Sequence, residues 1–437
     1  MTSSYRHEWL VLLLLGITAL SFFHRVGPQD ITRLALAQAV SVDRSLRIDR
    51  WHTQTIDKAV YDGHYYSDKA PGISFLGIPS LLILRSTSVV DRNDERRGVW
   101  KEPRVVWTFR VLIGGLGFLA AVFLVGRVAE AIAAGTGAAT ATAFGLGTLV
   151  LPLAATMFEH VVAAALGFAA FVAAWSGCRT SVARDLKWAT GGLCAGLAVL
   201  VEYQAVVIVL VLLIYLATRA TRGALVFAAA GLPSALALAL YNAAAFDSPF
   251  HLSYSYVTEQ FAREQSKGLF GIEPPDVEEL ARVLFSWDSL LAQSPVLIAG
   301  GTGLVLLWRS GTRAEAAVCG AIAGLFLLLN AGYYDPIGGL SPGPRFFIPA
   351  LPFLAVGLPC AFRRWPFVTL VSTSISVGLM MYRAGTWSRP GEEAFVTVWS
   401  LLGAPRFVGG LLLGALALTA LMLGARSVLA TDTRSTA

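Results

Sequence analysis

The stretch Gly63-His64-Tyr65-Tyr66-Ser67-Asp68-Lys69-Ala70-Pro71 sets a carboxylate beside an ammonium, immediately before the apolar run GISFLGIPSLLIL. A lysine in this setting either snorkels to lipid headgroups or holds a phosphate, with the neighbouring acid facing a metal ion or a polar acceptor. Tyr65 and Tyr66 suit an interfacial aromatic belt equally well. Upstream, Pro28 fits a helix start, Asp30 falls in its first turn and Arg33 lies one turn later on the same face. A carboxylate there either caps the helix or serves as a base. Glu159 and His160 stand at the end of an apolar segment, where ionisable groups are costly and are functional candidates by default. Glu202 occupies a tight turn between two apolar runs with no basic neighbour in sequence to pair with. Arg345 sits in the Gly- and Pro-rich stretch YYDPIGGLSPGPRFFIPALPF, a rigid irregular backbone of the kind that aims a side chain into a cavity. Arginine is a natural ligand for a phosphate monoester or diester. Together these residues are equipped for anion binding and proton transfer.

The elements that must position them are apolar helices. Of 437 residues 55% are hydrophobic and 14% charged, against about 25% charged in soluble domains. Windows such as WLVLLLLGITALSFF and AVVIVLVLLIYLA approach the roughly 20 apolar residues that cross a bilayer. The fold class is therefore an all-α polytopic membrane protein. The first apolar segment lacks a small-residue cleavage site and is read as a retained span rather than a signal peptide. The net charge of +6 resides mostly in arginines of short connections, so it reports orientation and not nucleic-acid binding.

Short arginine-rich loops belong in the cytoplasm. Arg6, Arg127, Arg179, Arg219, Arg309, Arg363 and Arg426 mark seven such places. About 12 transmembrane helices between residues 9 and 425 put all seven on one side, with both termini cytoplasmic. The condition is that 72–84, short and interrupted by Pro79, does not cross but lies re-entrant or along the surface. Segments 26–104, 247–288 and 334–345 then face outward, and long external loops are where chemistry is usually mounted.

Cys178, Cys194, Cys319 and Cys360 lie in or beside apolar segments without C-x-x-C spacing and are read as filler. The sequence shows no internal repeat, P-loop or dinucleotide fingerprint.

Taken together, the motifs resemble the membrane-embedded C-type (GT-C) glycosyltransferases that use polyprenyl-phosphate sugars. The nearest branch is that of the protein O-mannosyltransferases and aminoarabinose transferases, the phospholipid carrier-dependent group. Asp30-Ile31-Thr32-Arg33-Leu34 stands where that group has Asp-Glu-x-Arg-Tyr, matching the first acid and the arginine but lacking the second acid. Gly63 to Pro71 parallels Gly-x-x-Tyr-x-Glu-Lys-Pro-Pro, with Asp68 for Glu and Ala70 for the first Pro. Glu159-His160 loosely matches a polar residue after the third span, and GPRFFIPALPF resembles the late Gly-Pro-Arg motif. The resemblance covers most of residues 9–355.

It implies a GT-C-like fold whose first extracytoplasmic loop bears juxtamembrane helices. It also implies transfer of a sugar from a polyprenyl-phosphate donor to a lipid, glycan or protein acceptor, with an inverting outcome. Asp30 would be the catalytic base, and Lys69, Arg345 and Arg33 the donor-phosphate ligands. Asp68, Tyr66, Glu159, His160 and Glu202 remain substrate or metal candidates, and the shorter Asp68 leaves a divalent metal cofactor open. Residues 1–246 would form the catalytic module including loop 26–104, 247–288 an external loop, and 289–437 a C-terminal membrane module. The setting expected is a bacterial plasma membrane and cell envelope, with the site facing outside among membrane lipids. The alternative is a transporter or flippase of lipid-linked sugars. Transporters commonly show repeated halves and midplane polar residues, whereas here the ionisable residues cluster at one face.

Overall fold

A computed structural model describes residues 3–87, 89–90, 92–387 and 395–435. The side chain of Arg6, which marks the first expected basic cluster, lies outside the described residues. The helices that build the site are α1 (Ser3–Leu20), α2 (Pro28–Gln38), α3 (Gly72–Ser86), α4 (Pro103–Ile132), α5 (His160–Arg179), α6 (Arg184–Val201) and α7 (Arg313–Gly332). Among the described residues six helices are long and apolar enough to cross a membrane, or eight if two bent pairs each count as one span. One pair, Val277–Gln293 with Val296–Arg309, bends by 93°. Shorter apolar helices include Glu8–Leu20, Gly72–Ser86 and Tyr203–Arg219. Of the about twelve spans expected, length and apolarity identify six to eight, and several of the expected segments are broken, as at 133–136 and at the bend between Gln293 and Val296.

Helix ends sort the charge. Arg127 pairs with Glu8 at 3.1 Å, Arg222 with Asp185 at 2.5 Å, and Arg363 donates to the Ala134 carbonyl at 2.5 Å. The Arg127–Glu8 contact joins the start of α1 to the later part of α4, whereas Arg110, near the start of α4, bonds the His24 and Arg25 carbonyls that follow α1. The Arg127–Glu8 contact and the Asp30–Arg110 pair therefore occupy opposite ends of the α1–α4 pair.

Segment 26–104 folds as a compact layer over that second end. Leu34, Trp51 and Trp100 of this layer share a core with Val105 and Phe109 of α4, separate from the larger core between the spans. Trp51 meets Trp100 edge-on with centroids 5.8 Å apart, an arrangement aromatic quadrupoles favour. α3 has 15 residues, about 22 Å at 1.5 Å per residue, too short for a hydrocarbon core of about 30 Å. It presses onto α4 at Gly77, where an added Cβ would stand 1.8 Å from the Phe109 ring.

A two-stranded antiparallel hairpin, β1 (Ala59–Tyr61) and β2 (His64–Tyr66), precedes Asp68, with Val60 opposite Tyr65. Asp62 and Gly63 both take positive φ, 48° and 75°. That is the conformation two-residue hairpin turns demand, and Asp-Gly is its common sequence. Asp49 fixes the hairpin by accepting from the Tyr65 amide at 2.6 Å and contacting His64 Nδ1 at 2.8 Å. The hairpin delivers Ser67, Asp68 and Lys69 to the site.

Candidate active site

A cavity of about 910 Å³ opens where the first loop layer meets the helix ends. Asp30, Asp57, Asp68, Lys69, Arg110, Glu159 and Arg345 all line it. Lys69 and Arg345, which lie 276 positions apart, thus reach one space. Of the residues singled out in the sequence, Arg33, Tyr66, His160 and Glu202 do not line it.

Asp30 reaches the cavity from the first turn of α2. Gly27 is the N-cap and Pro28 the first helical residue, a position where a missing N–H costs nothing. The Asp30 carboxylate accepts the Gly27 amide at 2.8 Å. It also receives Arg110, with Nε 3.2 Å from Oδ1 and a second nitrogen 3.0 Å from Oδ2. A carboxylate offers about four lone-pair positions, so three donors leave room for one more. Arg110 further donates to the carbonyls of His24 and Arg25, at 2.5 and 3.2 Å, and so clamps the connection between α1 and α2 onto α4. It immediately precedes a π-helical turn, Val111–Gly115, a feature common at functional sites.

The expected Asp30–Arg33 neighbourhood does not form a pair. Arg33 is buried and salt-bridged to Glu159, from the start of α5, and also donates to the Gln29 side chain. Expected at the donor phosphate, Arg33 stands behind the cavity wall and balances the Glu159 that lines it. His160 and Glu202 form a second buried pair at 3.0 Å, so Glu202 has a basic partner after all, 42 positions away in sequence. Tyr66 lies against Phe246, with centroids 5.3 Å apart, as a packing residue of the loop layer.

Lys69 lies between two carboxylates, 2.7 Å from Asp68 and 3.7 Å from Asp57. Burial pushes the Asp68 carboxyl up to about 6, with Lys69 opposing the rise and Asp57 adding to it. Burial also works against the Lys69 charge, but Asp57 and Asp68 outweigh it and hold its pKa above the usual lysine value. Asp68 Oδ1 is buried without a hydrogen-bond partner. Among the described residues no three His, Cys, Asp or Glu side chains gather as a metal set. The Lys69 ammonium stands where a cation between Asp57 and Asp68 would go.

Arg345 opens a 3-10 helix, Arg345–Ala350, and its guanidinium lies over Phe158 at 4.9 Å and Phe346 at 5.0 Å. Gly338, at φ +87°, closes against it, since a Cβ there would come within 2.7 Å of Arg345 Nε. That nitrogen is buried and unpartnered, leaving donor capacity for an anion in the cavity.

No protein-family model matches the sequence, and no curated protein matches it. Solved structures do match. ArnT from Cupriavidus metallidurans in the apo state superposes with a TM-score of 0.56 at 15% identity, covering 96% of this chain and 74% of ArnT. The same protein bound to undecaprenyl phosphate gives 0.53 at 14% identity, over 98% and 75%. The archaeal oligosaccharyltransferase AglB from Archaeoglobus fulgidus, in complex with an inhibitory peptide and a dolichol-phosphate, gives 0.50 at 12% identity, over 97% and 56%. The chain has the GT-C fold. Integral-membrane architecture with several spans follows from that fold and from the apolar helices.

Sequence reasoning missed Arg110 and Asp57. Arg110 left a readable signal, since an ionisable residue inside an otherwise apolar span is a functional candidate. Asp57, in an irregular loop with Lys58 beside it, left none.

Proposed function

We propose that this protein is a glycosyltransferase that moves a sugar from a polyprenyl-phosphate donor to an acceptor on the extracytoplasmic face of the membrane. The observation that carries the reading is the meeting of Lys69 and Arg345 with Asp30 in one cavity on a GT-C fold. The undecaprenyl phosphate in one neighbour and the dolichol-phosphate in another support a lipid phosphate as the ligand.

Transfer breaks the bond between the anomeric carbon and the phosphate oxygen and leaves a phosphate monoester. Lys69 and Arg345 are the preorganised cations for that leaving group. Arg33 acts through Glu159 rather than at the phosphate. The acceptor hydroxyl attacks from the opposite face, which inverts the anomeric centre, and Asp30 takes its proton through its one spare lone-pair position. Such a base contributes about 10²–10⁴-fold. Arg110 orients Asp30 from the far side. Asp68 and Glu159 complete the polar floor of the cavity.

Native mass spectrometry of the purified protein tests the reading. A polyprenyl-phosphate species should accompany the wild type and be lost from both Lys69→Ala and Arg345→Ala, each remaining folded by thermal denaturation. Retention of the lipid by both variants would refute a shared phosphate site. Lipid binding without sugar transfer to any acceptor would favour the flippase.

A further inference from the structure

We propose that Gln265 and Tyr333 form the sugar-reading wall of the cavity and select an uncharged, hydroxyl-bearing sugar. This rests on the transferase reading and extends it to the class of sugar.

The wall is built by folding the external segment after Gln265 back onto the end of α7. The Glu273 amide donates to the Gly332 carbonyl at 2.8 Å and the Tyr334 amide to the Gly271 carbonyl at 3.0 Å. Ile272 pairs with Tyr333 in an antiparallel bridge between these bonds. Gly268 and Gly271 take positive φ, 53° and 81°, and a Cβ at Gly271 would strike the Tyr334 ring at 2.7 Å. This return fixes Gln265, the last residue of helix Glu259–Gln265, above Tyr333. Its Nε2 donates to the Tyr333 hydroxyl at 3.2 Å. The other end of the amide, Oε1, is buried with no partner. Both residues line the cavity. A buried acceptor without a donor is costly, and a sugar hydroxyl is the donor this position lacks.

The wall adjoins the phosphate position. Tyr333 meets Phe346 with centroids 4.7 Å apart, and Phe346 carries the Arg345 guanidinium 5.0 Å from its ring. Two rings, Phe346 and Tyr333, thus link the Arg345 guanidinium to Gln265, so a sugar esterified to a phosphate at Arg345 faces this wall. An uncharged sugar follows from the partners of the wall carboxylates. Arg110 holds Asp30 and Arg33 holds Glu159, and the cluster of Asp57, Asp68 and Lys69 serves the donor phosphate rather than the sugar. Asp335, nearest to Tyr333 in sequence, accepts the Gly338 and Gly339 amides. On the Gln265 side the unpartnered acceptor is a neutral amide oxygen, which holds a hydroxyl without a counter-charge. A site made to hydrogen-bond a hydroxyl discriminates by leaving its own polar group unpaired when the hydroxyl is absent.

The test measures dissociation constants for three probes: polyprenyl phosphate, a polyprenyl-phosphate hexose and a polyprenyl-phosphate amino-deoxypentose. The wild type should bind the hexose lipid at least tenfold more tightly than either other probe. Gln265→Glu should reverse the order of the two sugars, because its carboxylate holds the ammonium. Tyr333→Phe, which keeps the ring, should shrink the hexose advantage by releasing the Gln265 amide. A wild type that prefers the amino sugar overturns the proposal, as does a sugar preference unchanged in both variants. If polyprenyl phosphate binds and neither sugar alters its affinity, the sugar wall is refuted and the lipid-phosphate site stands. If no probe binds, the transferase reading falls and the sugar wall falls with it.

Discussion

Donor binding should strengthen as pH falls, and the Asp68→Asn variant should lose that dependence. Lys69 is shared by Asp68 at 2.7 Å and Asp57 at 3.7 Å. An ionised Asp68 occupies the ammonium that the donor phosphate needs and repels the phosphate directly. A neutral Asp68 does neither. With its carboxyl pushed up to about 6 by burial, Asp68 is protonated in roughly 3% of molecules at pH 7.5. A donor that requires the protonated form then binds about 30-fold more weakly than to a fully protonated site, a difference of about 2 kcal/mol. The sign follows from the raised value: affinity climbs about tenfold per unit as pH drops from 8 toward 6, then levels off below it. The ligand should be a phosphodiester, which keeps one charge throughout, because a phosphate monoester titrates near pH 6 itself. Titrations of a polyprenyl-phosphate hexose from pH 5 to 8.5 read the effect. Asp68→Asn should bind at pH 8 as tightly as the wild type does at pH 5. An affinity that varies less than threefold across the window, or a slope that survives in Asp68→Asn, refutes the reasoning.

Asp30→Asn should lower turnover by two or more orders of magnitude with donor affinity nearly unchanged. Near-normal turnover would reduce Asp30 to a helix cap, since Asn caps about as well as Asp. Sidedness is open to labelling: if segment 247–288 is external as expected, a cysteine at Lys267 should react with an impermeant reagent in intact cells. Protection of that position would invert the orientation.

Local rules carried part of this architecture and long-range pairing decided the rest. The start of α2 was legible because Pro28 and Asp30 announce it through backbone geometry confined to four residues. The shortness of α3 was legible from Pro79 and the length of its apolar run. The partner of Arg33 was not. Helical spacing points to Asp30, but Glu159, 126 positions away, takes the guanidinium in the fold. Asp30 in turn takes Arg110, 80 positions away. Spacing along one helix says which side chains share a face. It cannot say which opposite charge the tertiary fold brings to that face, and a buried arginine must find one. The Asp62-Gly63 turn carried an Asp-Gly signal that the sequence analysis did not use, and the hairpin it closes delivers Asp68 and Lys69 to the cavity together.

The two carboxylates that could serve as base are distinguished by what holds them. The cation on Asp30 is Arg110, whose remaining bonds go to the His24 and Arg25 carbonyls, so the donor has no call on it. The cation on Asp68 is Lys69, the group a donor phosphate would claim. Donor arrival therefore strips Asp68 of its counter-charge and favours its protonated form, in which it is an acid and cannot abstract a proton. It leaves the Asp30–Arg110 pair intact, with one lone-pair position toward the cavity. If Asp30 is the base, the pH dependence of donor binding must disappear in Asp68→Asn and persist in Asp30→Asn, while turnover at saturating donor must collapse only in Asp30→Asn. The opposite assignment, with turnover lost in Asp68→Asn at saturating donor, would transfer the base to Asp68 and reduce Asp30 to the clamp that joins α2 to α4.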